Sequence, residues 1–329
     1  MFGIDNILMF LVITGLLSFS IWVFSSLRSI KLAASLSSFS MVIVSLLILW
    51  RVFQLNLDFG LVLSLATFFA GITWIIGKQI NFKVLTEESR SYFWILLFIL
   101  CIRSFLYEPY QIPSSSMEPG LQVGDFVLVN KFAYGLKLPA LNRSINRGSD
   151  PERGDVTVFL PPHTICGTTP EEARPELASL SLRESQIFLS RFLSLQSSRC
   201  TKLGTKYVKR VVGLPGDKVE IKGYSIYING NKIDQVLKDK RKGEQLFLET
   251  FENNQHEIRT LGIKEYENFT WAIPKDRFLA LGDNRDNSLD SRDWGYFSKK
   301  NIVGKAEFVW LHWESFSELP KFDRNKRIR

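Results

Sequence analysis

Three apolar runs dominate the first eighty residues. No charged residue occurs from Asn6 to Leu27, from Leu32 to Trp50 or from Phe59 to Gly77. Wound as a helix at about 1.5 Å per residue, each run can cross a hydrocarbon core of about 30 Å. A fourth apolar segment, Ser91 to Tyr107, is interrupted by Arg103. Its uncharged part is short enough for a buried core helix, although an arginine near a helix end can reach the interface. Read as a span, it completes a membrane domain, residues 1–107, with four helices at 6–27, 32–50, 59–77 and 91–107.

The first run lacks a basic leader and a small-residue cleavage site and exceeds a signal-peptide core in length, so it is expected to stay as an anchor. Arg28 and Lys31 lie between the first two runs, Lys78, Lys83 and Arg90 between the last two, and Arg51 alone in the middle loop. The positive-inside rule then places the first and third loops in the cytoplasm and everything after Tyr107 outside. Gly15, Ser18, Gly60 and Gly71 permit close helix packing, and no Asp, Glu, Lys or His lies mid-membrane, which argues against an ion or proton pathway.

From Glu108 the pattern shortens to β-rich runs broken by Gly, Pro and Asn. Strands are expected at Asp125–Val129, Val156–Leu160, Tyr207–Val212, Val219–Ile221 and Ser225–Ile228, the last followed by an Asn229-Gly230 turn, and again at Phe278–Leu281 and Ile302–Trp313. The fold class is thus a multi-span α-helical membrane anchor followed by a mostly β domain, residues 108–329, of antiparallel and partly barrel-like sheets. Two stretches interrupt it. Residues 161–206 hold Ile187, Phe188, Phe192, Leu193 and Leu195 at the spacing of a short amphipathic helix, flanked by Cys166 and Cys200, which either pair in an exported domain or stay free. Residues 238–269 are highly charged and read as a surface excursion.

Charge adds little. Lys and Arg exceed Asp and Glu by 41 to 33, giving a net charge of +8, and hydrophobic residues make up 46%. The basic residues are dispersed and no nucleic-acid reader motif accompanies them, so membrane phosphates are the simpler partner. The tail KFDRNKRIR reads as a solvated end, with anionic lipid as an alternative contact. Trp294, Phe308, Trp310 and Trp313 read either as core or as an interfacial aromatic belt.

Chemistry concentrates in EPYQIPSSSMEPGLQVGDFVLVNKFAYG, Glu108 to Gly135. Pro113 and Pro119 stiffen a run of three serines, Ser114 to Ser116, into a rigid loop. A serine hydroxyl needs a base. The three histidines, His163, His256 and His312, form no recognisable triad pattern. Lys209, in the strand-like KYVKRVVGLPGD with Tyr207, Val208, Val211 and Val212 around it, can serve only if burial disfavours its charge. By itself it reads equally as a solvated strand lysine beside Arg210.

Four boxes decide between these readings. PSSSMEP with GDFVLVNKFAYG, RGDV at Arg153–Val156, KRVVGLPGD at Lys209–Asp217 and LGDNRDNSLDSR at Leu281–Arg292 resemble, in content and order, the signatures of bacterial type I signal peptidases. The resemblance runs from Arg103 to about Trp313. It implies Ser116 as nucleophile, Lys209 as general base, Ser114 as the oxyanion-hole hydroxyl and Ser288 as the group that orients the lysine. Arg210, Asp283, Asp290 and Arg292 become a supporting polar cluster, and Tyr110, Ile112, Leu121 and Val208 the walls of the substrate pocket. Gly120 and Leu289 depart from the family pattern, and are expected to loosen the loop and to narrow the pocket; Ser115 reads as a spacer.

The implied function is removal of signal peptides from exported preproteins by cleavage after a small residue in a small-x-small site, through an acyl-enzyme and without a cofactor. The implied setting is the bacterial inner membrane, with the catalytic domain on its outer face, preproteins and the bilayer as partners, and contact with the secretion machinery open. A self-cleaving repressor-type peptidase fits poorly with the membrane spans. An inactive scaffold has no need of Ser114, Ser116, Lys209 and Ser288 together.

Overall fold

A computed structural model of the chain describes residues 5–55, 59–135, 148–241, 243–252, 254–262, 268–314 and 318–328. The chain separates into two compact units, Met1–Ser104 and Phe105–Arg329.

The first unit consists of α1 (Asn6–Leu27), α2 (Lys31–Gln54), α3 (Phe59–Gln79) and α4 (Lys83–Cys101). Asp5 caps α1 by accepting from Leu8 N at 2.7 Å, and Arg51 near the end of α2 donates to both oxygens of the same carboxylate, at 3.2 and 2.6 Å. That pins the start of α1 beside the end of α2. A second helical hairpin is closed by glycines: a Cβ on Gly77 would stand 2.9 Å from Thr86 Oγ1, and one on Gly71 would stand 3.2 Å from the Phe93 ring, so α4 can approach α3 closely. Among the described residues, α1, α2 and α3 are long and apolar enough to cross a membrane. α4 starts at Lys83, carries Glu87, Glu88 and Arg90 before it turns apolar, and passes at Ile102–Leu106 into a π-helical turn.

The second unit is built on strands β1 (Tyr107–Gln111), β2 (Asp125–Asn130), β3 (Val156–Phe159), β4 (Tyr207–Gly213), β5 (Lys218–Lys222), β6 (Ser225–Ile228), β7 (Asn231–Lys232), β8 (Asp234–Arg241), β9 (Glu244–Phe251), β10 (Asn254–Thr260), β11 (Phe269–Ala272), β12 (Arg277–Leu281), β13 (Phe297–Ser298), β14 (Ile302–His312) and β15 (Lys326–Arg327). β2, β3, β4, β5, β6, β12 and β14 lie where the apolar alternation puts them. β2 alternates buried with half-buried positions, whereas all four residues of the central β3 are buried. The main sheet runs β1-β2-β14-β3-β4-β12-β13 with β15 on β14; β10-β9-β8 and β11-β5-β6-β7 form two smaller sheets. Register shifts along β14, where it meets β2 and β3, curl the main sheet into a half-barrel.

Two edges of that sheet stay open. Among the described residues, β1 pairs only with β2, and β12 reaches Arg210–Gly213 of β4 but not Tyr207–Lys209. Lys206 Nζ, just before β4, donates to Tyr110 Oη on β1 at 2.9 Å, so the two edges face each other. Charged residues of the sequence boxes tie the frame together. Asp217 accepts from Leu214 N at 2.8 Å and pairs with Arg153 at 3.0 Å, and Arg153 also donates to Val212 O.

The stretch 161–206 folds into α5 (Pro170–Ala173) and α6 (Leu182–Arg199), with α7 (Ser291–Trp294) packed beside them. α6 outruns its apolar segment because Ser181 and Glu184 form a capping box, and it buries Phe188 and Phe192 in a core shared with Phe159 and Trp294. Cys166 and Cys200 are disulfide-bonded; Cys101 is free.

The structure refines three expectations. The surface excursion expected at 238–269 is structured: most of its described residues belong to the β8-β9-β10 sheet and β11, and residues 242, 253 and 263–267 lie outside the described set. Its periodicity was masked by charge on the outward positions, while His256, Ile258 and Thr260 face inward. The C-terminal tail is not simply solvated. It returns through β15, and Arg324 donates to both oxygens of fully buried Asp125 at 2.9 and 2.8 Å. Of the four aromatic residues, Trp294 is core, while Phe308, Trp310 and Trp313 stay partly exposed.

Alkylation of the unfolded, unreduced chain should therefore modify one of its three cysteines, and all three after reduction, read by mass. Labelling of three thiols without reductant would contradict the disulfide. Breaking a loop of this length, with Cys166 and Cys200 separated by 34 in sequence, should destabilise the second unit by about 4 kcal/mol.

Candidate active site

β1 leads through Ile112 and Pro113 to Ser114, which is extended, and then to a single 3₁₀ turn at Ser115–Met117. Met117, buried with Ile112 and Leu121, anchors the turn, while Glu118 N donates to Ser115 O and Leu121 N to Met117 O. From the other side, Asn284 N donates to Ser116 O at 3.1 Å and Asn284 Nδ2 to Ser115 O at 3.0 Å. Asn287 Nδ2 donates to Ser115 Oγ at 2.9 Å. Ser115 is therefore more than a spacer, since both of its oxygens fix the loop.

β4 brings Lys209 to this turn. Lys209 Nζ donates to Ser116 Oγ at 2.5 Å, and Ser114 Oγ lies 3.3 Å from Ser116 Oγ. Lys209 is 3% exposed and Ser116 9%. Burial pushes the lysine down from its ordinary 10.5 to about 8, against the pull of Asp290 and Asp283. A fall of that size raises the neutral fraction near pH 7 by about 300-fold.

The charged residues expected to support the site form closed pairs. Arg210 grips Asp283 through Nε at 2.8 Å and Nη2 at 2.7 Å, and donates Nη1 to Gly154 O. Arg292 grips Asp290 in the same way, at 2.8 and 2.7 Å, and donates to Arg285 O. Burial disfavours charge on Asp290, but Arg292 outweighs it and holds the carboxyl below its ordinary range. Asp290 also accepts from Gly282 N, which fixes the turn that carries Asn284.

Ser288 Oγ is buried, and its hydroxyl is among the groups that hold the Asp290 carboxyl low. It lies against Gly282, where an added Cβ would be 2.2 Å from Ser288 Oγ and 2.5 Å from Ser116 O. Ile112 and Leu121 are core residues of one cluster, against which Tyr110 and Val208 pack half-buried. Leu289 packs instead against the cluster around Trp294, and a Cβ at Gly120 would meet Asp283 at an ordinary 3.4 Å. Among the described residues no histidine bonds Ser116: His163 contacts Tyr207, His256 contacts Glu249 and His312 contacts Asp125.

Residues 85–313 match the family described as signal peptidase, peptidase S26. Proteins named Signal peptidase I are similar along most of their length. That of Pseudomonas aeruginosa is 37% identical, over 76% of this chain and 81% of the relative. That of Buchnera aphidicola is 32% identical, over 77% and 84%, and that of Haemophilus influenzae 32% identical, over 80% and 90%. The chain belongs to the signal peptidase family. It is a serine endopeptidase of the membrane, and the serine loop, β4 and the turn at 282–292 all lie within the family match.

Within this signal peptidase, Gly282, Asn284 and Asn287 escaped the sequence reading because Gly and Asn are common in any turn. Their placement in one box with Asp283 and Ser288 was the available signal. Replacing Gly282 with Ala should push the Ser116 carbonyl, a backbone atom that cannot move cheaply, and lower kcat by about a hundredfold in a folded enzyme. Near-normal turnover of Gly282→Ala would show that the contact does not constrain the loop.

Proposed function

We propose that this signal peptidase removes signal peptides from exported preproteins by a Ser116/Lys209 dyad and an acyl-enzyme. The observation that carries the reading is the buried amine of Lys209, 2.5 Å from Ser116 Oγ and pushed down to about 8. Neutral Lys209 accepts the hydroxyl proton as Ser116 Oγ attacks the scissile carbonyl carbon. The oxyanion is held by the Ser116 N–H and by Ser114 Oγ, and each such donor contributes about a hundredfold or more in turnover. The Lys209 ammonium then protonates the leaving amine. A water gives its proton to Lys209, attacks the acyl carbon and releases the new carboxyl terminus.

Ser288 is assigned to orient Lys209 on the strength of its buried hydroxyl and its match to the family box. An extended substrate fits between the open edges of β1 and β4, with main-chain hydrogen bonds to both and small side chains directed to Tyr110, Ile112, Leu121 and Val208. For the anchor we propose four spans in a bacterial inner membrane. Gly71 and Gly77 admit α4 against α3, which supports counting it as the returning span, and the basic loops then put the catalytic unit on the outer face.

Purified chain in detergent should cut a preprotein at its small-x-small site. Ser116→Ala and Lys209→Ala should each reduce turnover by at least about a thousandfold while remaining folded. Activity of the wild type should rise with pH through about 8, because only the unprotonated amine takes the proton. Turnover near normal in either variant would remove the dyad assignment.

A further inference from the structure

We propose that Arg259, on β10 of the small charged sheet, is a positioning residue for the nucleophile, acting through Glu118. This rests on the dyad reading above. Arg259 touches both segments that frame Ser116. Its side chain crosses to the serine loop, where Nη1 donates to Glu118 Oε2 at 2.7 Å, two residues beyond the nucleophile. Its backbone pairs with the opposite segment: Arg259 N donates to Asp283 O and Arg285 N to Arg259 O, each at 2.9 Å. That pairing brackets Asn284, whose own N–H and amide hold the Ser116 and Ser115 carbonyls.

The sheet behind Arg259 is rigidly seated. Glu249, fully buried on β9, accepts from Arg285 Nη2 at 2.5 Å and contacts His256 Nε2 at 3.0 Å. Leu261 N donates to Asp286 at 2.5 Å. Without the Arg259–Glu118 pair, the Asn284 side of the turn would still be held, but its exit would lose the side-chain tie at Glu118 and keep the backbone bonds from Glu118 N to Ser115 O and from Leu121 N to Met117 O. The pair is partly shielded from solvent, Arg259 and Glu118 having side chains 27% and 22% exposed. Arg259 also pairs with Glu244, within the small sheet itself. That second pair serves as an internal control, since it involves the same guanidinium but does not reach the serine loop.

A nucleophile displaced by a fraction of an ångström binds substrate normally and reacts slowly, so the expected signature lies in kcat. In the full-length chain with a preprotein substrate, Arg259→Gln and Glu118→Gln should each lower kcat by about tenfold with KM within about twofold. The double variant should be no slower than either single one, because both remove the same contact. Arg259→Lys, which keeps the charge, should recover most of the rate, and Glu244→Gln should leave kcat unchanged. If Arg259→Gln does not fold, Glu118→Gln carries the test, since it leaves β10 and its pairing intact.

Unchanged kcat in Glu118→Gln, multiplicative losses in the double variant, or an equal loss in Glu244→Gln would overturn the proposal. Ser116→Ala in the same assay separates the two ideas. If it is inactive while the Arg259 and Glu118 variants run at full rate, only the positioning role fails; if it keeps its activity, the dyad and the positioning role fall together.

Discussion

In the proposed dyad, an uncharged amine at the Ser116 hydroxyl is the condition on which the rest of the catalytic unit depends. A pKa near 8 in place of 10.5 means that burial of Lys209 costs about 3 kcal/mol against its ionisation, a sizeable share of the net stability of a domain. The site can sustain that shift because its carboxylates are already occupied. Asp283 is gripped by Arg210 and Asp290 by Arg292, and the Arg292 charge offsets part of the pull that the two carboxylates exert on the lysine. Loss of either arginine would leave a buried, unpaired carboxylate next to the amine, which destabilises the fold and restores the ammonium together.

The second requirement is placement. Ser116 sits on one short turn, and that turn is held from three directions: by its own apolar anchors Ile112 and Met117, by the Asn284 and Asn287 amides, and by Arg259 through Glu118. Lys209 arrives on a strand whose neighbours, β3 and β12, belong to the same sheet as β1. Ser116 and Lys209 are therefore held within one sheet frame, and Gly282 marks how closely the segments approach, since even a methyl group would collide there.

The hydrophobic pattern carried much of this. Ser225–Ile228 with its Asn229-Gly230 turn, β2, β4 and the long β14 follow from period-two alternation and turn residues, and the apolar runs gave the first three helices. Pattern alone could not separate Lys209 from a solvated strand lysine, because burial is a property of what packs over the strand. Only the ordered sequence boxes distinguished it. Arg259 and Arg324 were illegible for a related reason: in charged stretches their partners, Glu118 and Asp125, lie far away along the chain and are set by topology. α6 exceeded its apolar core because caps and an exposed polar face extend a helix beyond the residues it buries.

The most direct test of the central claim is the titration of Lys209 itself. In full-length protein carrying ¹³C-labelled lysine, with Lys209→Met used to assign its signal, the Lys209 side-chain resonance should titrate near pH 8, well apart from lysines with an ordinary value near 10.5. A Lys209 signal that stays protonated until about pH 10 would contradict the account, because the amine could not then serve as the base that activates Ser116.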